Sequence, residues 1–84
     1  MNRTKRIQKI LEKNFNETTT YVKDNSELHK GHNLFDGTGE THIFVQIEKN
    51  SKLNLTRLEI HRKINILLKE EFSNGLHSLE IKII

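Results

Sequence analysis

Apolar residues recur along this chain with two different periods, and the changes of period mark out five elements. Over residues 3–15, Ile7, Ile10, Leu11 and Phe15 recur at helical spacing, with Arg6, Lys9 and Lys13 on the opposite face and Lys5 at its edge. That pattern predicts an amphipathic helix. Thr18, Thr19, Thr20, Tyr21 and Val22 form a β-branched and aromatic run, which predicts a strand. Residues 24–39 are polar and carry three glycines, Gly31, Gly37 and Gly39, so they read as a long loop. Over 42–47 the period becomes two. Ile43, Val45 and Ile47 share one face and Phe44 lies on the other, which makes this the strongest predicted strand. A polar connection at 50–54 leads into a second helix, from about 55 to 72. Its core stripe is Ile60, Ile64, Leu67 and Leu68, and Thr56 with Glu59 three residues on has the form of a capping box. Asn74 and Gly75 suit a left-handed helix end. Residues 78–83 alternate, with Leu79, Ile81 and Ile83 inward, and predict a last strand.

The order helix, strand, strand, helix, strand restricts the topology. A loop between the first two strands favours antiparallel pairing. A helix between the second and third favours a right-handed crossover and parallel pairing. Parallel strands start at the same end of a sheet. The second strand starts where the loop holding His29 and His32 ends, and the third starts just after His77. Topology alone therefore predicts that these histidines gather at one end of the sheet. The expected fold class is α/β in the broad sense (α+β), a single small domain spanning 1–84. It would have αββαβ order and a three-stranded mixed sheet with helices on one face.

Composition narrows the function. At 84 residues the chain is one domain that buries roughly 60–65% of its unfolded surface. Its 30% charged residues leave it polar, yet the clustered apolar positions are those of a folded domain. The formal net charge of +3 is compatible with an acidic partner or nucleic acid and identifies neither. No run of about 18 apolar residues is present, so no membrane span is expected. The N-terminal basic residues lack an apolar signal core, and a cytoplasmic location is the expectation.

The absence of cysteine matters most for chemistry. It excludes a disulfide framework and any cluster ligated by this chain's own thiolates. Metal binding would have to use imidazole and carboxylate, or borrow thiolates from a partner. His29 and His32 form an i, i+3 pair in a glycine-bearing loop, a spacing that suits a metal and equally suits a solvated loop. His77 stands alone before the last strand. On its own it reads as a polar residue that finishes a helix-to-strand turn by bonding a free helix carbonyl. His61 reads as a packed residue beside the second helix's apolar stripe, and His42 as a packing or hydrogen-bonding residue rather than a ligand. No arrangement for catalysis is apparent. There is no cysteine nucleophile and no serine elbow, and the adjacent Glu70 and Glu71 point in different directions on a helix.

A series of short motifs carries a family likeness. Ser26-x-x-His29-x-Gly31-His32 comes first, then Gly39-Glu40-Thr41-His42-x-Phe44 opening a strand. His61-Arg62-x-Ile64, Leu68-x-Glu70-Glu71 and Leu76-His77-Ser78-Leu79 follow. In this order, over nearly the whole chain, they resemble the BolA family. The resemblance implies a compact α/β domain similar to the type II KH fold. It implies a monothiol glutaredoxin, with glutathione, as partner. It also implies a 2Fe–2S cluster held between the two proteins, none being bound by the isolated chain, and a role in iron–sulfur trafficking and iron regulation. In the family the histidine before the last strand is a cluster ligand, here His77. A second ligand comes from the loop between the first two strands, where His29 matches best and His32 lies close behind. Mixed histidine and cysteine ligation would raise the cluster's potential and make the site sensitive to protons.

The chain departs from the family pattern in three places. Ile60 stands where arginine commonly precedes the His-Arg pair, Glu27 stands where many relatives have histidine, and the Phe-x-Gly often found after the second strand is missing. Some bacterial members of the family are described as DNA-binding transcriptional regulators. For that alternative, Lys5, Arg6, Lys9 and Lys13, or Arg62 and Lys63 of the second helix, are the candidate contacts. Type II KH domains grip nucleic acid with a Gly-x-x-Gly loop. Residues 50–56 contain no glycine, and Gly37-Thr38-Gly39 has no following helix. KH-type RNA binding is therefore not expected, and binding to duplex DNA would be electrostatic and salt-sensitive. The expected state is a monomer, with homodimerisation left open.

Overall fold

The computed structural model describes residues 2–16, 18–26, 41–50 and 52–84. Its elements are α1 (Arg3–Asn14), β1 (Thr18–Asp24), β2 (His42–Lys49), α2 (Arg57–Leu67), α3 (Lys69–Ser73) and β3 (Ser78–Ile83). The strands form one mixed sheet in the order β1-β2-β3. β1 pairs antiparallel with β2, placing Val22 opposite Val45. β2 pairs parallel with β3, placing His42 opposite Ser78 and Val45 opposite Ile81. The expected α+β fold with a three-stranded mixed sheet is the observed one.

The period-two pattern dictates which sheet face is covered. Ile43, Val45 and Ile47 of β2 are 2%, 0% and 0% exposed and lie in one core with Val22 and Ile83. Ile7 and Leu11 of α1, Ile60 and Ile64 of α2, and Leu68 complete that core, all of them fully buried. The alternate residues of β1 and β2 face away: Tyr21 is exposed and Phe44 half-buried, their rings meeting edge-on at 6.4 Å. Helix ends follow local chemistry. Asn2 caps α1 by accepting the Lys5 N–H at 2.9 Å. Thr56 and Glu59 form the expected capping box, each accepting the other's backbone N–H at 3.1 Å. Hydrogen bonding from the Thr56 backbone N–H, reinforced by its side chain, stabilises the charged form of Glu59 and holds its carboxyl below the usual range.

The second helix departs from the expected single run over 55–72. It breaks at Leu68 (φ −99°, ψ 12°), and α3 follows as a separate short turn. Two demands produce the break. Leu68 stays fully buried, and the redirected α3 brings the Glu71 carboxylate under α1. There Arg3 Nε donates to Glu71 Oε1 at 2.9 Å, while Arg6 Nε donates to Oε2 at 2.9 Å and Arg6 Nη2 to Oε1 at 2.8 Å. Arg3 Nη2 also donates to the Asn74 carbonyl at 2.6 Å. Gly75 then turns the chain at φ +111°, a conformation that side chains with a Cβ rarely adopt.

This three-residue clamp closes the chain across 68 positions. Arg3 and Glu71 are 9% and 8% exposed, so removing one charge leaves the other buried without its counter-ion. Glu71→Gln should cost roughly 3 kcal/mol, a large share of the about 4–12 kcal/mol expected for a domain of this size. Urea unfolding at neutral pH measures it.

Hydrogen bonding from Arg6 is the main reason the Glu71 carboxyl lies below the usual carboxylate range, with Arg3 reinforcing it and burial opposing. The unfolded chain therefore binds this proton more readily than the folded one. The clamp's contribution is fully present above about pH 4.3, the ordinary glutamate value, and is lost as pH falls through the lower folded value. The stability difference between the wild-type chain and Glu71→Gln should accordingly shrink as pH is lowered from 5 to 3. An unchanged difference over that range would show that the ion pair carries no such linkage.

Candidate functional site

The start of the parallel β2–β3 pair is built around two short residues, Ser26 and Thr41. Ser26 is almost fully buried, and its Oγ accepts two backbone N–H groups, from Thr41 at 2.8 Å and His42 at 3.1 Å. The Ser26 N–H in turn donates to Asp24 Oδ1 at 2.9 Å, and the Asn25 N–H donates to the His42 carbonyl at 2.8 Å. The two ends of the segment between β1 and β2 are thus tied together. On the other side, the Thr41 carbonyl accepts the N–H of His77 at 2.8 Å and of Ser78 at 3.0 Å. One residue therefore carries the start of β2 and the chain leading into β3.

This arrangement presents His77 at the surface of one end of the sheet, on the short link after Gly75 and the buried Leu76. Its imidazole lies beside that of His42, the ring centroids 5.6 Å apart and the planes tilted by 45°. His42 is half-buried, and its Nδ1 is 2.9 Å from Thr41 Oγ1. His29 and His32, the expected loop ligands, lie outside the described residues. Among the described residues no group of three or more histidine, aspartate or glutamate side chains is placed to hold a metal. As expected, His42 has a hydrogen-bonding role, but its nearness to His77 was missed. The signal was available: the parallel-strand argument that moves His77 to the start of β3 applies equally to the first residue of β2.

The cationic candidates fall into separate groups. Lys5, Lys9 and Lys13 are exposed along one row of α1 at i, i+4 spacing. Arg6 lies on the same helix but is committed to Glu71. Arg62 is exposed, whereas Lys63 folds back on α1, its Nζ 4.9 Å from the centre of the Phe15 ring and 3.3 Å from the Asn14 carbonyl. Periodicity put Arg6 on the polar face of its helix and left Lys63 a candidate contact, and it could not register contacts between distant elements. His61 is half-buried beside the core stripe, and its backbone carbonyl accepts from Asn65 Nδ2 at 2.8 Å. No described helix is long and apolar enough to cross a membrane.

Known proteins share this fold and sequence. The profile of the family described as BolA-like protein matches residues 11–84. An uncharacterized protein in the cobS 5′ region of Sinorhizobium sp is 40% identical over 83 residues, covering 98% of this chain and 89% of that protein. SufE-like protein 1 of Arabidopsis thaliana, chloroplastic/mitochondrial, is 35% identical over 80 residues, and the match covers 90% of this chain but only 22% of that longer protein. Among solved structures, the BolA domain of SufE1 from Arabidopsis thaliana superposes with a TM-score of 0.78 at 34% identity, covering 99% of this chain and 91% of that one. BolA1 from the same plant gives 0.78 at 31% identity, with 99% and 90% coverage. With the family profile spanning most of its length and its fold superposing on solved BolA domains, this chain belongs to the BolA-like family.

Proposed function

We propose that this protein is a non-enzymatic adaptor in iron–sulfur trafficking and iron regulation, which binds a monothiol glutaredoxin and shares a 2Fe–2S cluster with it. The observation that carries the reading is the placement of His77: an exposed imidazole at the end of the sheet, its backbone held by the Thr41 carbonyl. A ligand to a cluster between two proteins has to be rigidly based and reachable from outside, and His77 is both. Family membership supports the same role.

The donor set fits half of such a site. The chain has no cysteine, so its own share of the ligands would be imidazole, from His77 and from His29 or His32. The thiolates that iron prefers would come from the glutaredoxin and its glutathione. The bound cluster would supply redox-active, transferable iron and sulfide. This chain's own part is to bind the partner, present the imidazoles and make ligation sensitive to protons.

The test is a titration of the protein into glutathione-ligated 2Fe–2S monothiol glutaredoxin, followed by visible circular dichroism and size exclusion. A one-to-one complex with a changed cluster spectrum is expected. His77→Ala should abolish the change and weaken cluster-dependent association by at least the roughly 10–100-fold that losing a metal ligand's hydrogen-bond partner costs. Because His77 is exposed, its fold stability should stay within about 0.5 kcal/mol of wild type. An unaltered cluster spectrum and no complex would overturn the proposal.

One observation favours a second reading, duplex DNA binding by a transcriptional regulator. The Lys5, Lys9 and Lys13 row on α1 is exposed and unbroken in its spacing. Three phosphate contacts would give log Kd against log salt a slope of magnitude about 2.7, and that binding would survive His77→Ala. Fluorescence anisotropy with a labelled duplex at several salt concentrations separates the two readings.

A further inference from the structure

We infer that β3 is a self-pairing edge: two copies of this chain join by antiparallel β3–β3 pairing about a two-fold axis at Ile81. The two three-stranded sheets then become one. The inference does not depend on the glutaredoxin reading, because it uses neither a cluster nor His77.

Three observations converge on it. The first is a row of unpartnered backbone groups. β3 stands at the end of the strand order β1-β2-β3. The Ser78 N–H donates to the Thr41 carbonyl, the Ile84 N–H to the Ile47 carbonyl, and the Ile84 carbonyl accepts from the Lys49 N–H. Successive residues of a strand send their backbone groups to opposite sides. Ser78, Glu80, Lys82 and Ile84 therefore bond to β2, and the N–H and C=O groups of Leu79, Ile81 and Ile83 point outward. Among the described residues no hydrogen bond reaches those outward groups. Such an edge is a template for another strand. The opposite edge differs: Gln8 Nε2 of α1 donates to the Thr20 carbonyl at 3.1 Å and to its hydroxyl at 2.7 Å, so a helix side chain already bonds β1.

The second is charge. Glu80 and Lys82 are exposed on either side of Ile81. A second copy running antiparallel, centred on Ile81, sets Glu80 opposite its Lys82 and Lys82 opposite its Glu80. The backbone phase independently selects the same register. Ile81 then faces its own counterpart and Leu79 faces Ile83, all with their outward groups paired. Glu80 and Lys82 fall in the non-hydrogen-bonded pairs, where side chains lie closest. Sliding the second copy by two residues sets Glu80 against Glu80 or Lys82 against Lys82, and like charges directly opposite are destabilising.

The third is apolar surface. Leu79 and Ile81 point toward the core yet are only half-buried, and Ile84 is 49% exposed. A neighbouring strand at this edge covers what the chain's own helices leave open, with Ile84 beside Ser78 of the second copy.

The experiment is sedimentation velocity of the full chain over a concentration series at low salt, beside amide hydrogen exchange followed by NMR. A monomer–dimer equilibrium is expected. E80K alone and K82E alone should each weaken self-association roughly tenfold or more, because each sets two like-charged pairs across the axis. The double variant E80K/K82E should restore it, and an equimolar mixture of the two single variants should form a heterodimer. Both side chains are exposed, so circular dichroism should show an unchanged fold. Exchange at Leu79 and Ile81 should slow as concentration rises, while Glu80 and Lys82, already bonded to β2, stay as they are. That readout needs no substitution. A monomer at every concentration, self-association indifferent to the single variants, no recovery in the double variant and the mixture, or added protection confined to other residues would each overturn the pairing.

Discussion

The parallel pairing of β2 with β3 is the constraint on which the rest of this small domain depends. β2 is the central strand, and its three inward residues, Ile43, Val45 and Ile47, form the floor of the core. Parallel pairing obliges the chain to leave the sheet at the end where β2 finishes and cross back to the opposite end before β3 begins. α2 and α3 make that return, and their buried residues Ile60, Ile64 and Leu68 cover the strands they connect. The same geometry collects the beginnings of β2 and β3, so His42 and His77 lie at one end of the sheet. The Thr41 carbonyl, accepting from both His77 and Ser78, is where the pairing begins and where the histidines are placed.

A short chain has limited apolar surface to bury, and here a partly buried ion cluster ties the ends of the fold together. Glu71 gathers Arg3 and Arg6, and Arg3 also takes the Asn74 carbonyl. The carboxylate is bound by both guanidinium groups, so little of its desolvation cost goes uncompensated. The cluster also orients the link to β3. Asn74, held by Arg3, leads through the left-handed Gly75 and the buried Leu76 to His77. The stability of the domain and the position of His77, the exposed histidine among the described residues, thus share one structural element.

The SufE-like relative places a similar sequence within a much longer protein, of which the match covers 22%. This chain superposes on the solved BolA domain of SufE1. Its helices cover one face of the sheet, while the exposed Tyr21 and the half-buried Phe44 lie on the other, and His77 stands at the strand beginnings. Cationic side chains at the surface differ in availability: the α1 lysines extend into solvent, whereas Arg6 and Lys63 are engaged within the molecule.

Much of this was legible in the order of residues, because hydrophobic period is a local property. The two-residue alternation at 43–47, the helical spacing of Ile7 and Leu11, the Thr56–Glu59 cap and the Asn74–Gly75 turn each depend on neighbours a few positions away. Strand direction followed from the lengths and types of the connections, and with it the gathering of strand starts at one end. The break at Leu68 did not follow. The apolar stripe continues through that residue, whereas the redirected helix end is where Glu71 meets two arginines 65 and 68 positions away. The same holds for Lys63 on Phe15 and for the His42–His77 pair. Sequence by itself determined the strands, the buried faces and the end of the sheet where His77 lies. Only the tertiary structure decided which side chains meet there, because contacts between distant elements depend on rotamers and packing that no local spacing encodes.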